Sequence, residues 1–585
     1  SFSGPAKLRL DAAGDLALAT PSGVVRWRKP VVYQMSGDRR QTIAGEYALL
    51  DANTAGFHLG AYDRSRPLVI DPVLSYASYH AGNGLDSVSA VAVDEAGSVY
   101  LAGSTSADLR FPDGSNLAPL RARKTGADAD LDDAARFHKS RDPLTNVPRK
   151  RAWGKQNGRM LLQPYGGVTT LKGQIELIRH VAEVGTADIV PTTIDSQTRN
   201  LKYEAAERAL RESERQGKEL LNGYPIVNHG VKSTRELVSA VSVPVEMRIG
   251  TIVPQLAIEI GFAGGMSSVT AGPIYYNAHY SRDSLFAEAV QNWQYVFRLI
   301  GAYAERGVPI GLQIHGVGTS TPFPNTLLGA CCVLESLIAA AQGARTFTMD
   351  ARLMGNLVQD VAGVRAIREI AEEYIRDRFG YRDALITIDR KSWSGRYPED
   401  IASAYGVVTF NAMGAMLAGA DEIIANSVQE GVGIPVKESN ADTLRAIRQV
   451  VGMMDGQSGR LQSEPVEQEV HLMKLEMRAI LDAVLDLANG DPALATELGF
   501  REGLIDIPFA ASRQCKNEVM VARDAEGAVR YLESGRIPVP AEVLAHHQAC
   551  LAKRVAKRGR EIDYETIVDD IFSISRGALV LDERG

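Results

Sequence analysis

The sequence predicts a multidomain chain: an N-terminal all-β segment, then an α/β (β/α)8 TIM barrel, then a C-terminal α+β extension. Three observations carry this expectation. At 585 residues the chain exceeds what one compact core holds, so several domains are expected. Its texture changes along the way, from short β runs broken by Gly, Asp and Pro before residue 112 to apolar runs alternating with longer helical patterns after residue 160. The second texture repeats about eight times, and repeated β-then-α units with buried-type strands imply a parallel sheet that closes into a barrel.

Taken in order, residues 1–112 read as a β-sandwich-like segment plus one propeller-type repeat. The runs VSAVAV (88–93) and SVYLA (98–102) flank the turn DEAG (94–97). Residues 113–159 are charged and Gly/Pro-punctuated, and read as a linker with a short helix at 130–139. The barrel spans 160–456. Its expected strands are MLLQP (160–164), ADIVP (187–191), PIVNH (225–229), PVEMRI (244–249), PIGLQI (309–314), TFTM (346–349), ALITI (384–388) and DEIIA (421–425), with helical patterns such as 201–216 and 284–306 between them. The extension, 457–585, opens with a polar stretch and continues with an amphipathic helix at 466–489 and a small β-containing cap at 512–538.

Composition narrows the function classes. A net charge of −7 argues against a nucleic-acid backbone as main partner. The basic run PRKRAWGK (148–155) reads as a solvated connector. Four cysteines, Cys331, Cys332, Cys515 and Cys550, show no metal-ligand spacing and are too few for a disulfide scaffold, so buried thiols and no metal site are expected. The apolar stretch 327–341 carries Glu335 and is shorter than the ~20 residues that span a bilayer, so it reads as a buried helix and no membrane partner is expected. His546 and His547 are adjacent, cannot share a helix face, and read as surface residues.

In a (β/α)8 barrel chemistry sits at the C-terminal ends of the strands. There the sequence places Asp195, Thr198 and Arg199 after ADIVP, Asn228 and His229 at the end of PIVNH, Arg248 in PVEMRI, Tyr275, Tyr276 and Tyr280 in SSVTAGPIYYNAHY, and His315 after GLQI. Arginines at strand ends can hold a carboxylate through charge-assisted, bidentate hydrogen bonds. Tyrosines beside them orient a ligand without competing for a proton at pH 7. On spacing alone, Arg199 and Arg248 read equally well as surface or ion-paired arginines.

Several blocks go further. LLQPYGGVTTL (161–171), ADIVPTTIDSQTRNLKYE (187–204), LLNGYPIVNHGVK (220–232), MGNLVQDVAGVR (354–365), EGVGIPVKESNA (430–441), GLIDIPFAASR (503–513) and AVRYLESGRIP (528–538) resemble the epsilon subunit of glutamate mutase (methylaspartate mutase) over residues 131–585. The resemblance implies a barrel subunit of an adenosylcobalamin-dependent carbon-skeleton isomerase converting glutamate to 3-methylaspartate by radical rearrangement. It also implies a small, sigma-type cobalamin-binding partner that ligates the cobalt, because QIHGVG (313–318) lacks the Asp of the family's cobalt-binding motif, and a hetero-oligomer built on a barrel dimer. Carried over by position, Arg199, Arg248, Tyr276 and Tyr280 match substrate-contacting residues. Gly167, Asn222, Glu430 and Ile434 match positions that contact the cobalamin or its adenosyl group.

Departures from the family pattern are as informative. Tyr165 stands where the family has its first substrate-clamping arginine, and Thr270 where a glutamate meets the substrate ammonium. Asn426 replaces a lysine, His279 a proline and Tyr397 a phenylalanine near the cofactor. Losing a charged partner costs enough to change discrimination between substrates. Three readings follow: a mutase re-specified for a non-glutamate acid, glutamate mutase itself, or a non-catalytic barrel that binds a partner or ligand. Residues 64–112 resemble the opening of bacterial β-propeller-repeat proteins, which suggests an extracellular setting for that part against a cytoplasmic one for the barrel. A natural fusion and a gene-model join near 105–135 both account for the meeting of the two.

Overall fold

The structure is a computed structural model that describes residues 7–10, 14–20, 23–27, 29–36, 39–51, 54–71, 74–77, 88–93, 99–103, 130–270, 272–318, 321–429, 436–457 and 463–580. The chain divides into two compact units, Ser1–Asn116 and Leu117–Gly585.

The first unit is antiparallel throughout its described strands. Strands β1 (Lys7–Leu10), β2 (Leu16–Thr20), β3 (Gly23–Trp27) and β9 (Leu74–Ala77) form one sheet; β5 (Arg39–Ile43), β4 (Val31–Ser36) and β8 (Leu68–Asp71) form another. Two hairpins pair β6 (Gly45–Asp51) with β7 (Thr54–Leu59) and β10 (Val88–Val93) with β11 (Val99–Gly103). Leu16, Val32, Ile43 and Tyr47 are buried here. Buried Gln34 ties down a loop by donating to the Asp63 and Arg66 carbonyls at 2.7 and 3.1 Å and accepting from the Asp63 N–H at 2.9 Å. Strands are thus present at 88–93 and, for the second expected run of 98–102, at 99–103, while residues 94–98 lie outside the described residues.

The second unit is built on eight parallel strands: β12 (Leu161–Pro164), β13 (Val190–Thr193), β14 (Val245–Arg248), β15 (Ser268–Thr270), β16 (Gly311–Ile314), β17 (Thr346–Arg352), β18 (Leu385–Lys391) and β19 (Glu422–Ala425). Their order is β12-β19-β18-β17-β16-β15-β14-β13. The ring closes at the β12/β13 seam, where the Asp188 N–H donates to the Leu162 carbonyl and the Thr193 N–H to the Gly166 carbonyl, both at 2.9 Å. A parallel barrel needs a helix on every crossover, and the sequence supplies caps for them. Thr170, Asn356 and Asp400 accept from the N-terminal N–H groups of helices Leu171–Glu183, Leu357–Ala371 and Ile401–Ala418. Ile401–Ala418 is long and apolar enough to cross a membrane by length and composition, a test that core helices also pass, and it packs against β19.

The C-terminal extension rests on helix Glu464–Leu487. Its buried Val470, Met473, Met477, Ile480, Leu481 and Val484 recur at helical spacing and pack it against helices Asn325–Ala341 and Leu357–Ala371. Each such side chain contributes about 1.5–3 kcal/mol on burial. Strands β20 (Val519–Arg523) and β21 (Val529–Ser534) form the expected β cap. Buried Arg530 joins that cap to the long helix through Glu469 at 2.6 and 3.1 Å.

Four expectations are corrected. PIVNH is not a strand: residues 226–229 begin helix Ile226–Ser239, and the true fourth strand is the short, polar β15. The stretch 130–159 is not a connector, because helices Leu131–Ser140 and Val147–Gln156 belong to the second unit. The run 148–155 is not solvated: it lies in the second of these helices, where Arg151 is buried. His547 is buried against the Tyr531 ring rather than on the surface. The four cysteines are free and buried, as the composition suggested.

Candidate active site

Small barrels usually fill their interior with branched aliphatic residues. This one fills it with polar side chains. At the N-terminal floor Arg151 enters from helix Val147–Gln156. Its Nε donates to Glu422 Oε2 at 2.7 Å, and its two terminal nitrogens donate to Glu246 Oε1 and Ser268 Oγ at 3.2 Å each. Ser268 Oγ and Gln163 Nε2 also donate to Glu246, both at 2.5 Å. Every group on this floor is buried and the guanidinium is matched by two carboxylates.

One layer up, Gln313 Oε1 accepts from Thr270 Oγ1 at 2.7 Å and from an Arg248 terminal nitrogen at 3.3 Å, while its Nε2 donates to Asp389 Oδ2 at 3.1 Å. Burial, reinforced by the Asp350 and Glu422 carboxylates, holds the Asp389 carboxyl well above the usual carboxylate range. Arg248 is only 4% exposed, yet its Nε and one terminal nitrogen have no hydrogen-bond partner. Its guanidinium carbon sits 4.1 Å from the centroid of the Tyr165 ring.

The mouth layer comes from the ends of β12, β14, β16, β17 and β18 and from helix Pro273–Tyr280; the Arg248 guanidinium reaches up into it from β14. Arg352 Nε donates to Asp350 Oδ2 at 2.7 Å, and His315 Nδ1 lies 3.2 Å from the same oxygen. Burial opposes the Asp350 charge, but the Arg352 guanidinium beside it keeps the carboxyl below its ordinary range. Lys391 ends β18 with its ammonium 5.3 Å from the Tyr165 centroid and 5.9 Å from that of Tyr275. Burial, with the Arg352 guanidinium next to it, pushes the Lys391 ammonium down to about 7. Burial likewise pushes His279 and His315 down to about 3, so both are neutral at pH 7.

Helix Pro273–Tyr280 is positioned from behind. Its first turn has no side-chain cap of its own; instead the Ile274 N–H donates to buried Glu335 Oε1 at 2.6 Å. A Cβ on Gly272 would lie 2.4 Å from the Glu335 carboxylate, so a side chain here would push that carboxylate aside. Burial raises the Glu335 carboxyl to about 8. On the outer face Tyr276 stacks on Tyr280 at 5.4 Å, and the Tyr275 and Tyr280 hydroxyls are 3.4 Å apart. Gly250, beyond β14, admits the Tyr276 ring, since a Cβ there would meet it at 2.8 Å.

The structure brings Tyr165, Thr270 and Arg248 together and places Arg199 near Tyr276, whose hydroxyl burial raises and the Arg199 charge lowers. Arg199 ends helix Ser196–Arg199, capped by Asp195, and its Nε is buried without a partner. Asn222 accepts from the Ser196 N–H at 2.9 Å and so braces that helix. Gly167 is a packing position, because a Cβ would sit 2.4 Å from the Thr193 carbonyl oxygen. His279 Nε2 accepts from the Gly318 N–H at 2.7 Å, and Asn426 Nδ2 donates to the Trp393 carbonyl at 3.0 Å. Tyr397 lines a cavity of about 410 Å³ with Arg396, Glu399, Phe572, Ser575 and Arg576. Glu430 and Ile434 lie outside the described residues. Neither Asn228 nor His229 ends a strand; His229 is bound to the Thr169 carbonyl and stacked on Tyr224.

Asp350, Arg352 and Lys391 are the mouth residues that sequence reasoning missed. Their signal was available, since TFTM and ALITI continue as DAR and DRK, charged residues at the ends of buried strands.

Comparison with known proteins gives the same barrel a family. The family model described as methylaspartate mutase E chain (MutE) matches residues 146–582, and a domain of unknown function matches residues 1–73. A glutamate mutase epsilon subunit of Desulfitobacterium hafniense is 40% identical over 456 residues, covering 78% of this chain and 94% of that protein. Proteins of the same name from Treponema denticola and Halobacterium salinarum are 36% and 39% identical, covering 79% and 81% of this chain and 95% and 98% of theirs. From residue 146 onward, the chain belongs to the methylaspartate mutase E chain family and is a mutase subunit, an isomerase.

Proposed function

We propose that this chain is the barrel subunit of a cytoplasmic, adenosylcobalamin-dependent carbon-skeleton mutase that acts on glutamate or a related carboxylic acid together with a small cobalamin-binding partner. The observation that carries the substrate class is Arg248, a buried guanidinium at the C-terminal mouth with two nitrogens lacking a hydrogen-bond partner. A buried charge left so is costly, and a ligand carboxylate removes the cost.

The residues at the rim fit a corrinoid whose cobalt is ligated by another chain. Of the two imidazoles of the mouth, His279 is taken by the Gly318 N–H and His315 lies against Asp350, while Tyr280 offers an aromatic face 57% open to solvent. Gly167, Asn222, His279, Tyr397 and Asn426 are the described residues that would hold the cofactor. When bound, it would supply radical chemistry at the carbon skeleton of the substrate. The chain itself supplies orientation and dryness: Arg248 and Arg199 hold carboxylate, Tyr276 orients it, and the Tyr165 and Tyr275 rings exclude water from the radical site.

Tyr165 and Thr270 favour a related acid over glutamate, because neither offers a charge and the Thr270 hydroxyl is committed to Gln313. The test is to mix the full chain with adenosylcobalamin and a small cobalamin-binding subunit in the dark, and to follow the Co(II) EPR signal as acids are added. A signal with glutamate and formation of 3-methylaspartate establishes glutamate mutase. A signal with a different carboxylic acid alone establishes a re-specified mutase. Silence with every acid overturns the catalytic reading in favour of a non-catalytic barrel.

A further inference from the structure

We propose that Lys391 is a specificity-determining residue of the substrate site: from the end of β18 it provides the cation that position 165 does not, so that Lys391 holds one carboxylate of the substrate while Arg248, with Arg199, holds the other. The inference rests on the mutase reading for its choice of site, and it names how that site selects its ligand.

The argument begins with topology. In the closed ring β12 lies two strands from β14 on one side and two strands from β18 on the other, so the ends of these three strands look into one mouth. Tyr165 follows β12, and the cations from β14 and β18 lie against its ring at 4.1 and 5.3 Å from the centroid. Neither cation is fully satisfied by the protein. Arg248 donates to Gln313 at 3.3 Å and lies 3.8 Å from Glu246 Oε2, but keeps two nitrogens without hydrogen-bond partners. The Lys391 side chain is only 5% exposed, and its ammonium stands among Arg352, Asp350, Arg248 and Asp389 with the Tyr165 and Tyr275 rings against it. Arg352, the neighbouring cation, differs: its Nε donates to Asp350 at 2.7 Å and one terminal nitrogen donates to the Gly318 carbonyl, leaving a single nitrogen without a partner. A tyrosine ring between two cations gives each a modest cation–π contact and leaves hydrogen-bonding capacity on each for anions. Two anion sites flanking one apolar plate suit a short acyclic dicarboxylate whose carbon chain lies against the ring.

A ligand carboxylate at Lys391 restores the ammonium to its charged form, so binding at alkaline pH draws a proton from solvent. The groups that face Lys391 are Asp350 and Arg352 from β17, Arg248 from β14, Asp389 from its own strand, His315 after β16, and the Tyr165 and Tyr275 hydroxyls.

The experiment is calorimetric titration of the full chain with glutarate, a dicarboxylate, and with butyrate, a monocarboxylate, in two buffers of different ionisation enthalpy at about pH 8. Glutarate binding should be accompanied by proton uptake. Lys391→Met should weaken glutarate about 10- to 100-fold and abolish the uptake while changing butyrate less than about twofold. Lys391→Arg should keep glutarate within about tenfold of the unsubstituted chain. Equal losses for both probes, unchanged glutarate affinity in Lys391→Met, or no glutarate binding by the unsubstituted chain would each overturn the proposal. Where Lys391→Met does not fold, as judged by circular dichroism, Lys391→Gln serves in its place. Because no cobalamin is present, the outcome is separate from the Co(II) test: a glutarate site without any Co(II) signal removes the mutase reading and leaves the two-cation site standing.

Discussion

The two ends of the barrel use the same residue types to opposite effect. At the floor one arginine meets two carboxylates, and Ser268 and Gln163 complete their hydrogen bonding. At the mouth, Arg248 is nearly as buried but reaches Glu246 only at 3.8 Å and keeps two nitrogens without hydrogen-bond partners. A matched buried charge is a structural device; an unmatched one is a strained state that a ligand relieves. The difference teaches which arginines to read as function: burial does not decide it, the count of partners does.

The largest expected effect breaks the floor. Arg151→Met leaves Glu246 and Glu422 buried together with only Arg248, 3.8 Å from Glu246, as a paired cation, and should destabilise the second unit by about 3–5 kcal/mol in denaturant unfolding. The parallel substitution Arg248→Met should cost far less stability, since Glu246 keeps Arg151; equal losses would dissolve the contrast.

A second test concerns an acid kept neutral by burial. Glu335 has an ordinary value of 4.5 and is raised to about 8 in the fold. The native state therefore binds the proton more tightly than the unfolded chain. The stability it contributes is full below about pH 4.5 and is lost as pH rises through 8. Glu335→Gln should flatten the fall in melting temperature across that window while still accepting the Ile274 N–H. A variant whose profile matches the unsubstituted chain would show that the carboxyl is not protonated there.

Ligand binding sharpens the mouth side. Arg248→Met should weaken carboxylate binding about 10- to 100-fold, the worth of one charge-assisted pair, for monocarboxylates and dicarboxylates alike. The smallest effect is expected of Tyr165→Leu, which removes the ring between two cations and should cost about 0.5–2 kcal/mol of stability. A gain in stability would mean that the ring does not offset the repulsion between the two cations.

Much of the barrel was legible because buried parallel strands are written as apolar runs, and seven of them were found. PIVNH misled because a buried helix start is as apolar as a strand, and β15 escaped because Ser268 and Thr270 turn inward into a polar interior, so the strand carries little apolar signal. The floor could not be read at all. Arg151 pairs with residues 95 and 271 positions away, and nothing local distinguishes PRKRAWGK from a solvated run. Arg199, Arg248, Tyr276 and Tyr280 came from strand-end position and from resemblance to a family. Lys391 was lost because its strand was taken to end with the apolar residues at 388, whereas β18 runs on for three charged ones.

The meeting of Gly250 with Tyr276 has a consequence for the history of such chains. One added methyl at position 250 would overlap the ring at 2.8 Å, so the two positions are not independent characters. Among relatives, a chain that gains a side chain at 250 is expected to have lost the large ring at 276, or to have acquired the ring only after reverting to glycine. The pair should therefore be visible as covariation, and the order of the two changes along a lineage is fixed by volume: the glycine comes first.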